Sequence, residues 1–316
     1  MNNILSINIP TYNRVDFLEK NLKNLIPMCK KHSVPIYVSD NNSDDQTVSM
    51  LKKYTELYEF LFISVLDSNF GIDFNMNNVV CMSTAKYSWL FSDDDEIFEG
   101  SVDVVLDCLT NISPDFLLLN CSEAYLSSGQ IISDNIYNIE SFFQVINNGE
   151  LLRKYAHILT LLSACVVKTK LWKEISLDGY KSKYYFHLHN IYSGLDKDSK
   201  ILLLKQPLFC RMRGNDWNFD KNEIDYILHY FYPKTIEHVI GGYEFSDKLN
   251  AIKLKLRRMK LGTFWRLRES GLVGLGGMPI SYFFLMQLHL PLALISLFIP
   301  GELCGRLYRK LFKFYR

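Results

Sequence analysis

The first 120 residues alternate between short apolar runs of β period and longer stretches of helical spacing. Leu5-Ser6-Ile7-Asn8-Ile9 alternates and then meets Pro10, which predicts a first strand ending in a loop. Val15 to Cys29 places Phe17, Leu18, Leu22, Leu25 and Ile26 at helical intervals. Residues 35–39 predict a second strand, Thr47 to Tyr58 a second helix, Phe60 to Val65 a third strand, and Asp73 to Ser83 a third helix. Tyr87 to Phe91 reads as a fourth strand running into Asp93-Asp94-Asp95, and Val102 to Leu109 and Phe116 to Asn120 add a helix and a strand. This alternation predicts an α/β fold, a mostly parallel sheet flanked by helices. Right-handed crossovers gather the C-terminal strand ends on one rim, where ligands bind. Three polar clusters, 10–14, 40–45 and 92–96, each follow a strand. They are expected to converge in one crevice.

The pattern loosens after residue 120. Ala164 to Val167 reads as a strand, and Leu171-Trp172 opens a short helix. Beyond 224 the chain reads as helical. Lys253, Lys255, Arg257, Arg258 and Lys260 alternate with apolar residues, Met278 to Ile299 is almost wholly apolar, and a basic, aromatic run closes the chain. The expected organisation is an α/β domain over 1–222, in two halves (1–115 and 116–222). A helical, membrane-associating region follows over 223–316. Met278 to Ile299 has the length of a bilayer span, but Pro279, Pro291, Gln287 and His289 favour a monotopic segment lying in the interface. A buried helix pair or a dimer surface is the alternative, which leaves a homo-oligomer open.

Composition narrows the class. The 316 residues are 48% hydrophobic and 22% charged, a globular balance, and a formal net charge of +1 gives no reason to expect nucleic acid as a partner. Seven scattered cysteines without a CxxC pair indicate neither a disulfide framework nor a zinc site, so reduced thiols are expected. Met1-Asn2-Asn3 carries no signal-peptide pattern, which places the chain on the cytosolic side.

Ser92-Asp93-Asp94-Asp95-Glu96 carries the candidate chemistry. Adjacent carboxylates raise one another's pKa unless a cation is present. A divalent ion such as Mn2+ or Mg2+ takes hard oxygen ligands and needs only one or two carboxylates. It would offset the charge of a departing nucleoside diphosphate. The plain alternative is an acidic helix N-terminus.

Around this cluster the residues resemble the family 2 glycosyltransferases of GT-A fold. Ser6-Ile7-Asn8-Ile9-Pro10-Thr11-Tyr12-Asn13-Arg14 looks like that family's first strand and nucleotide loop. Tyr37 to Asp45, Asn69-Phe70-Gly71 and Tyr87 to Asp95 resemble its later elements, the last being similar to the metal-binding DxD element. The resemblance implies that Asp40 contacts the nucleobase and that Pro10, Thr11, Tyr12, Arg14, Asn42 and Gly71 line the donor site. It implies Asp93 near the donor ribose or sugar, Asp95 as first metal ligand and Asp94 beside it. The acidic triplet after an aromatic-rich strand, with Ser163 to Trp172, is similar to the abequosyltransferase-like branch. That branch implies a 3,6-dideoxyhexose donor and a polyprenyl-diphosphate-linked oligosaccharide acceptor. The setting it implies is bacterial O-antigen synthesis, at the cytoplasmic face of the inner membrane.

The base departs from the pattern. An inverting transferase needs a group that takes the acceptor proton. Gly179 to His189, where many members carry an acidic pair, holds no acid. His187 is the first candidate, with Asp178 and Asp216 as alternative acids. Arg213 and Arg211 are candidates to counter the diphosphate from a mobile segment. The missing acid leaves a retaining mechanism open. Two other classes stay in play. A nucleotidyltransferase should show a glycine-rich basic loop, and 10–14 has no glycine. An inactive scaffold of a glycan-assembly complex is the non-enzymatic reading.

Overall fold

The computed structural model describes residues 1–213, 227–240, 242–256 and 303. The chain divides into two compact units, Met1–Asn215 with Val239–Tyr243, and Asp216–His238 with Glu244–Arg316.

The first unit opens with β1 (Leu5–Thr11), α1 (Val15–His32), β2 (Ile36–Asp40), α2 (Thr47–Leu57), β3 (Leu61–Val65), α3 (Ile72–Met82) and β4 (Tyr87–Leu90). Strands β3, β2, β1 and β4 lie side by side and all run parallel. β1 does not stop at Pro10. The Ile7 N–H donates to Pro35 O on the β2 side, so alternate residues Ile9 and Thr11 face β2 and the Pro10 nitrogen faces β4. On that side the ladder has already ended at Asn8–Leu90, so proline removes no ladder bond. Helix α1 buries Leu18, Leu22, Leu25, Ile26 and Cys29 on one face and keeps Pro27 exposed, where a freed carbonyl meets water. It runs past Cys29 because Ser33 adopts a left-handed cap whose N–H reaches Cys29 O and Lys30 O.

The chain continues through β5 (Glu96–Ile97), α4 (Ser101–Asn111), β6 (Phe116–Tyr125), β7 (Ile131–Ser133), β8 (Phe143–Ile146) and α5 (Asn148–Glu150). It then forms β9 (Cys165–Lys168), α6 (Thr169–Lys173), α7 (Phe186–Gly194) and β10 (Ile201–Arg213). The sheet extends in the order β3-β2-β1-β4-β9-β6-β10-β5. Here it stops being parallel. β9 runs antiparallel to both β4 and β6, and β10 runs parallel to β6. The C-terminal ends of β1, β2, β4, β6 and β10 therefore share a rim with the N-terminal end of β9. Trp89, Phe91 and Phe209 are fully buried beneath it, with Phe91 edge-on to Trp89 at 5.5 Å and to Phe209 at 6.2 Å.

In the second unit a π-helical turn (Ile227–Phe231) leads into the helix Tyr232–Glu237, and Phe245–Leu256 forms a longer helix. Tyr232, Ile236, Ala251, Ile252 and Leu256 are buried, and the Lys255 ammonium sits 5.4 Å from the Tyr232 ring. Residues 257–268, 278–299 and 306–316, on which the membrane reading rests, lie outside the described residues. Among those described, no helix is long and apolar enough to cross a membrane. The six described cysteines are free thiols.

Candidate active site

The three polar clusters meet on the rim. Thr11 Oγ donates to Asp93 Oδ2 at 2.8 Å. The Arg14 guanidinium spans the triplet, with Nε 3.3 Å from Asp93 Oδ1 and Nη2 2.8 Å from Asp94 Oδ2. The first cluster also grips the second. The Asn13 N–H donates to Ser43 Oγ at 2.8 Å, the Val15 N–H to Asp45 Oδ2 at 3.1 Å, and the Asn41 N–H to Thr11 O at 3.0 Å. Residues 69–75 close the ring. Asn41 Oδ1 accepts the Phe70 N–H at 3.0 Å, and Asn75 Nδ2 donates to Thr11 O at 3.1 Å. Turns this tight need left-handed backbone, and Asn13 (φ 53°), Asn42 (φ 66°) and Gly71 (φ 86°) supply it.

Asp40, beside Thr11 in strand register, is fully buried. Its carboxylate accepts the Ser43 N–H at 2.9 Å and the Ser43 hydroxyl at 2.5 Å. Pro10 and Tyr12 are half-buried on the same loop, while Asn42 is exposed.

The triplet alternates. Asp93 and Asp95 are buried, and Asp94 between them is half-buried. Burial pushes the Asp93 carboxyl up; Arg14 opposes that shift and Asp94 adds to it. Burial pushes Asp95 up as well, reinforced by Asp94 and opposed by Ser163, Arg211 and the Met212 N–H. A small hollow beside the triplet is lined by Phe17, Lys20, Asn21, Glu96 and Leu126. Lys20 pairs with Glu96 at its edge.

Could these residues hold a divalent cation? Among the described residues no three His, Cys, Asp or Glu side chains form a closed cage. The donor set is nonetheless hard oxygen: Asp93 and Asp95 are buried with Asp94 between them, and burial, reinforced by Asp94, holds both carboxyls above their usual range. An ion that keeps waters and shares phosphate oxygens needs no more than this. The residues fit the group.

Other predicted residues lie elsewhere. Arg213 donates to Glu123 Oε2 at 2.8 Å and Arg211 to Glu123 Oε1 at 2.9 Å, so both arginines rest on one carboxylate of β6. Asp178 is exposed in a 3-10 turn whose Ser176 side chain accepts its N–H. His187 is buried on α7, with Nε2 2.9 Å from Leu159 O and Nδ1 buried without a hydrogen-bond partner; burial lowers its pKa to about 4. It is neutral at pH 7, with Nε2–H donating to the carbonyl. Asp216 lies outside the described residues.

Sequence reasoning missed three residues. Ser163, fully buried just before β9, bonds both Trp89 of β4 and the Ser92 N–H that precedes the triplet. Glu123 organises the two arginines. Asp73 accepts the Tyr184 N–H at 2.7 Å and the Phe186 N–H at 2.9 Å, tying α3 to the start of α7, and burial raises its pKa to about 6. Only Ser163 had a signal, as part of the stretch that resembles the abequosyltransferase-like branch.

A parallel half-sheet brings three polar loops to one rim, with an acidic triplet after β4, an arrangement of GT-A type. The family model described as Glycosyl transferase family 2 matches residues 6–160. The abequosyltransferase RfbV of Salmonella typhimurium is 26% identical over 257 residues, covering 74% of this chain and 77% of that protein. The GalNAc(5)-diNAcBac-PP-undecaprenol beta-1,3-glucosyltransferase of Campylobacter jejuni is 31% identical over 107 residues, covering 32% of this chain and 33% of its own length. In fold, the chain is similar to S. aureus TarS 1-349 in complex with UDP-GlcNAc, with a TM-score of 0.62 at 17% identity over 97% of this chain and 92% of that one. It is also similar to the mannosyltransferase PcManGT of Pyrobaculum calidifontis in complex with GDP-Man and Mn2+, with a TM-score of 0.54 at 11% identity over 98% and 84%. Residues 6–160 match the family 2 glycosyltransferases, and the chain is a glycosyltransferase. Nothing in these matches favours a nucleotidyltransferase.

Proposed function

We propose that this glycosyltransferase moves a sugar from a nucleoside-diphosphate donor to an oligosaccharide carried on a polyprenyl diphosphate. The setting is bacterial O-antigen or related polysaccharide synthesis, at the cytoplasmic face of the inner membrane. The observation that carries the donor reading is the lock between loops: Thr11 and Arg14 from β1–α1 hold Asp93 and Asp94 after β4. Two sites 80 residues apart are built into one acidic rim. The acceptor class follows from one relative, whose name specifies a PP-undecaprenol substrate. A 3,6-dideoxyhexose as the donor sugar follows from the other, an abequosyltransferase.

Asp95, with Asp94, would hold Mn2+ or Mg2+. A bound ion neutralises charge on the departing diphosphate. The chain's own residues do the rest. Asp40, on its Ser43 clamp, faces the nucleobase, Thr11 and Arg14 fix the triplet, and the hollow beside α1 limits water. His187 and Asp178 stay as candidates for the base, and each has an obstacle. His187 is buried and weakly basic, and Asp178 is solvated on a turn. Replacing each in turn decides between them, because loss of transfer with donor hydrolysis retained identifies the base. The membrane reading for 278–299 rests on hydropathy alone.

The deciding experiment is a thermal-shift screen of CDP, GDP and UDP with and without Mn2+. Manganese-dependent stabilisation by one of them is expected. No stabilisation by any of the three overturns the donor reading.

A further inference from the structure

The rim carries a cation of its own. Arg14 stands one residue before α1, and its guanidinium reaches across to the triplet after β4. Nη2 donates to Asp94 Oδ2 at 2.8 Å. Nε lies 3.3 Å from Asp93 Oδ1, where it meets the carboxylate as a charge, and it is buried without a hydrogen-bond partner. The Phe17 ring, in the first turn of α1, supports the guanidinium at 4.9 Å. Among the described residues, one hydrogen bond and one looser charge pairing hold this cation on the triplet.

Both Asp94 oxygens are engaged, by unlike partners. Oδ1 accepts the Ser92 hydroxyl at 2.5 Å from two residues away, a bond that moves with the turn. Oδ2 accepts Arg14 from 80 residues away, a bond that can part without unmaking the turn. Asp93 keeps Thr11 on its Oδ2 when Arg14 leaves. A divalent ion on Asp94 takes a carboxylate oxygen directly. It carries twice the charge of a guanidinium and repels one at that distance. Arg14 and the ion therefore compete for one oxygen. Once freed, the planar fork of guanidinium donors matches a phosphate.

We propose that Arg14 is the resident counter-cation of the triplet, exchanged for the divalent ion at Asp94 and handed to the diphosphate that arrives with it. This rests on the reading of Asp94 and Asp95 as metal ligands. Exchange and bracing predict opposite signs. If Arg14 only braced the turn, neutralising it would loosen Asp94 and weaken ion binding. An exchanged cation opposes the ion until a diphosphate takes it up. Its loss then tightens the ion alone and weakens the nucleotide.

The test is Mn2+ titration of the full chain without nucleotide, read by electron paramagnetic resonance, beside a melting curve for each variant. Calorimetric titration with CDP, GDP and UDP in saturating Mn2+ follows. Arg14→Gln is expected to tighten Mn2+ alone by about five-fold, the worth of one partly exposed ion pair. It is expected to weaken the preferred nucleotide by about ten-fold, the worth of one charge-assisted contact. If Arg14→Gln does not fold, Arg14→Lys carries the test, with smaller shifts of the same signs. Lys20→Gln removes a neighbouring positive charge that pairs with Glu96 rather than the triplet, and should leave Mn2+ affinity within about two-fold. An equal gain there reduces the effect to surface charge and overturns the proposal. Unchanged or weaker Mn2+ affinity in the folded Arg14 variant overturns it too, as does a gain for the ion with no loss for the nucleotide. Absence of Mn2+ binding in wild type and variants alike, with every nucleotide, overturns the metal reading itself, and is told apart by appearing in the wild type.

Discussion

The parallel half of the sheet and its antiparallel half use polar side chains differently. Around β1, β2 and β4 the polar residues bond one another across loops: Thr11 to Asp93, Arg14 to Asp94, Asn41 to Asn69. Beyond β9 they mostly brace backbone. Asn190 Nδ2 donates to Trp172 O at 2.9 Å, Tyr137 OH bonds Leu118 O and Leu204 O, and His187 holds Leu159 O. A side chain bonded to another side chain can be re-aimed by one substitution. A side chain bonded to backbone is a strut, whose loss is felt as stability. The difference teaches that donor chemistry is concentrated in loop-to-loop contacts, and that the second half mainly supplies a frame.

Four variants can break or sharpen this contrast. The largest effect belongs to Asp95→Ala, which should lower transfer and manganese-dependent donor hydrolysis together by on the order of a thousand-fold, because leaving-group charge goes unmet. Retained hydrolysis would move the metal site elsewhere. Next is Arg14→Ala, which leaves two carboxylates on the rim without their cation. We expect a loss of about 2 kcal/mol in urea unfolding and about 100-fold in activity, with added Mn2+ recovering part of the stability. Arg14→Lys keeps charge but not the span across Asp93 and Asp94, so it should fall between. Asp40→Asn should raise the donor KM by about ten-fold with little change in melting temperature, since one charge-assisted contact is lost. An equal effect on acceptor KM would break the division between halves.

The smallest effect is a pH slope. The folded pKa of Asp73, about 6, lies above its model-peptide value of 3.8, because burial outweighs the bonds from Phe186 and Tyr184. The folded state therefore binds the extra proton. The stability it contributes is fully present below pH 3.8 and is lost as pH rises through about 6. Asp73→Asn should flatten that part of the stability curve, read from urea midpoints at about pH 4.5 and 7. An unchanged slope would show that α3 and α7 are not coupled through this carboxyl.

Much of the first half was legible in the sequence. β2, β3 and α2 lie within a residue of where the local pattern places them, β2 as a strand buried throughout and α2 as a helix burying one face. Two features there were not. Pro10 reads as a stop, yet a strand tolerates it where the neighbouring ladder has ended. β6 continues to Tyr125, past the expected end at Asn120, because Ser122 and Glu123 are buried against β10. Convergence of the three polar clusters was legible, since strand direction fixes it. The positions of Ser163, Glu123 and Asp73 were not. They depend on an antiparallel strand and on bonds across 71, 88 and 111 residues, and no local pattern encodes either. The burial of His187 was hidden for the same reason, because a histidine at helical spacing reads alike whether it faces solvent or a carbonyl.

The reversed strand β9 has a consequence for how such enzymes diversify. β6 leaves the sheet at the rim, and β9 returns to the sheet at that same rim, so the excursion from Leu126 to Ala164 begins and ends beside the reacting groups. A segment anchored in this way behaves as a cassette. Within it β7 pairs with β6 and β8 with β10, so changes of length that keep the sheet fall in the turns between those strands. New acceptors can then be sampled by recombination at two neighbouring seams while the nucleotide machinery is inherited intact.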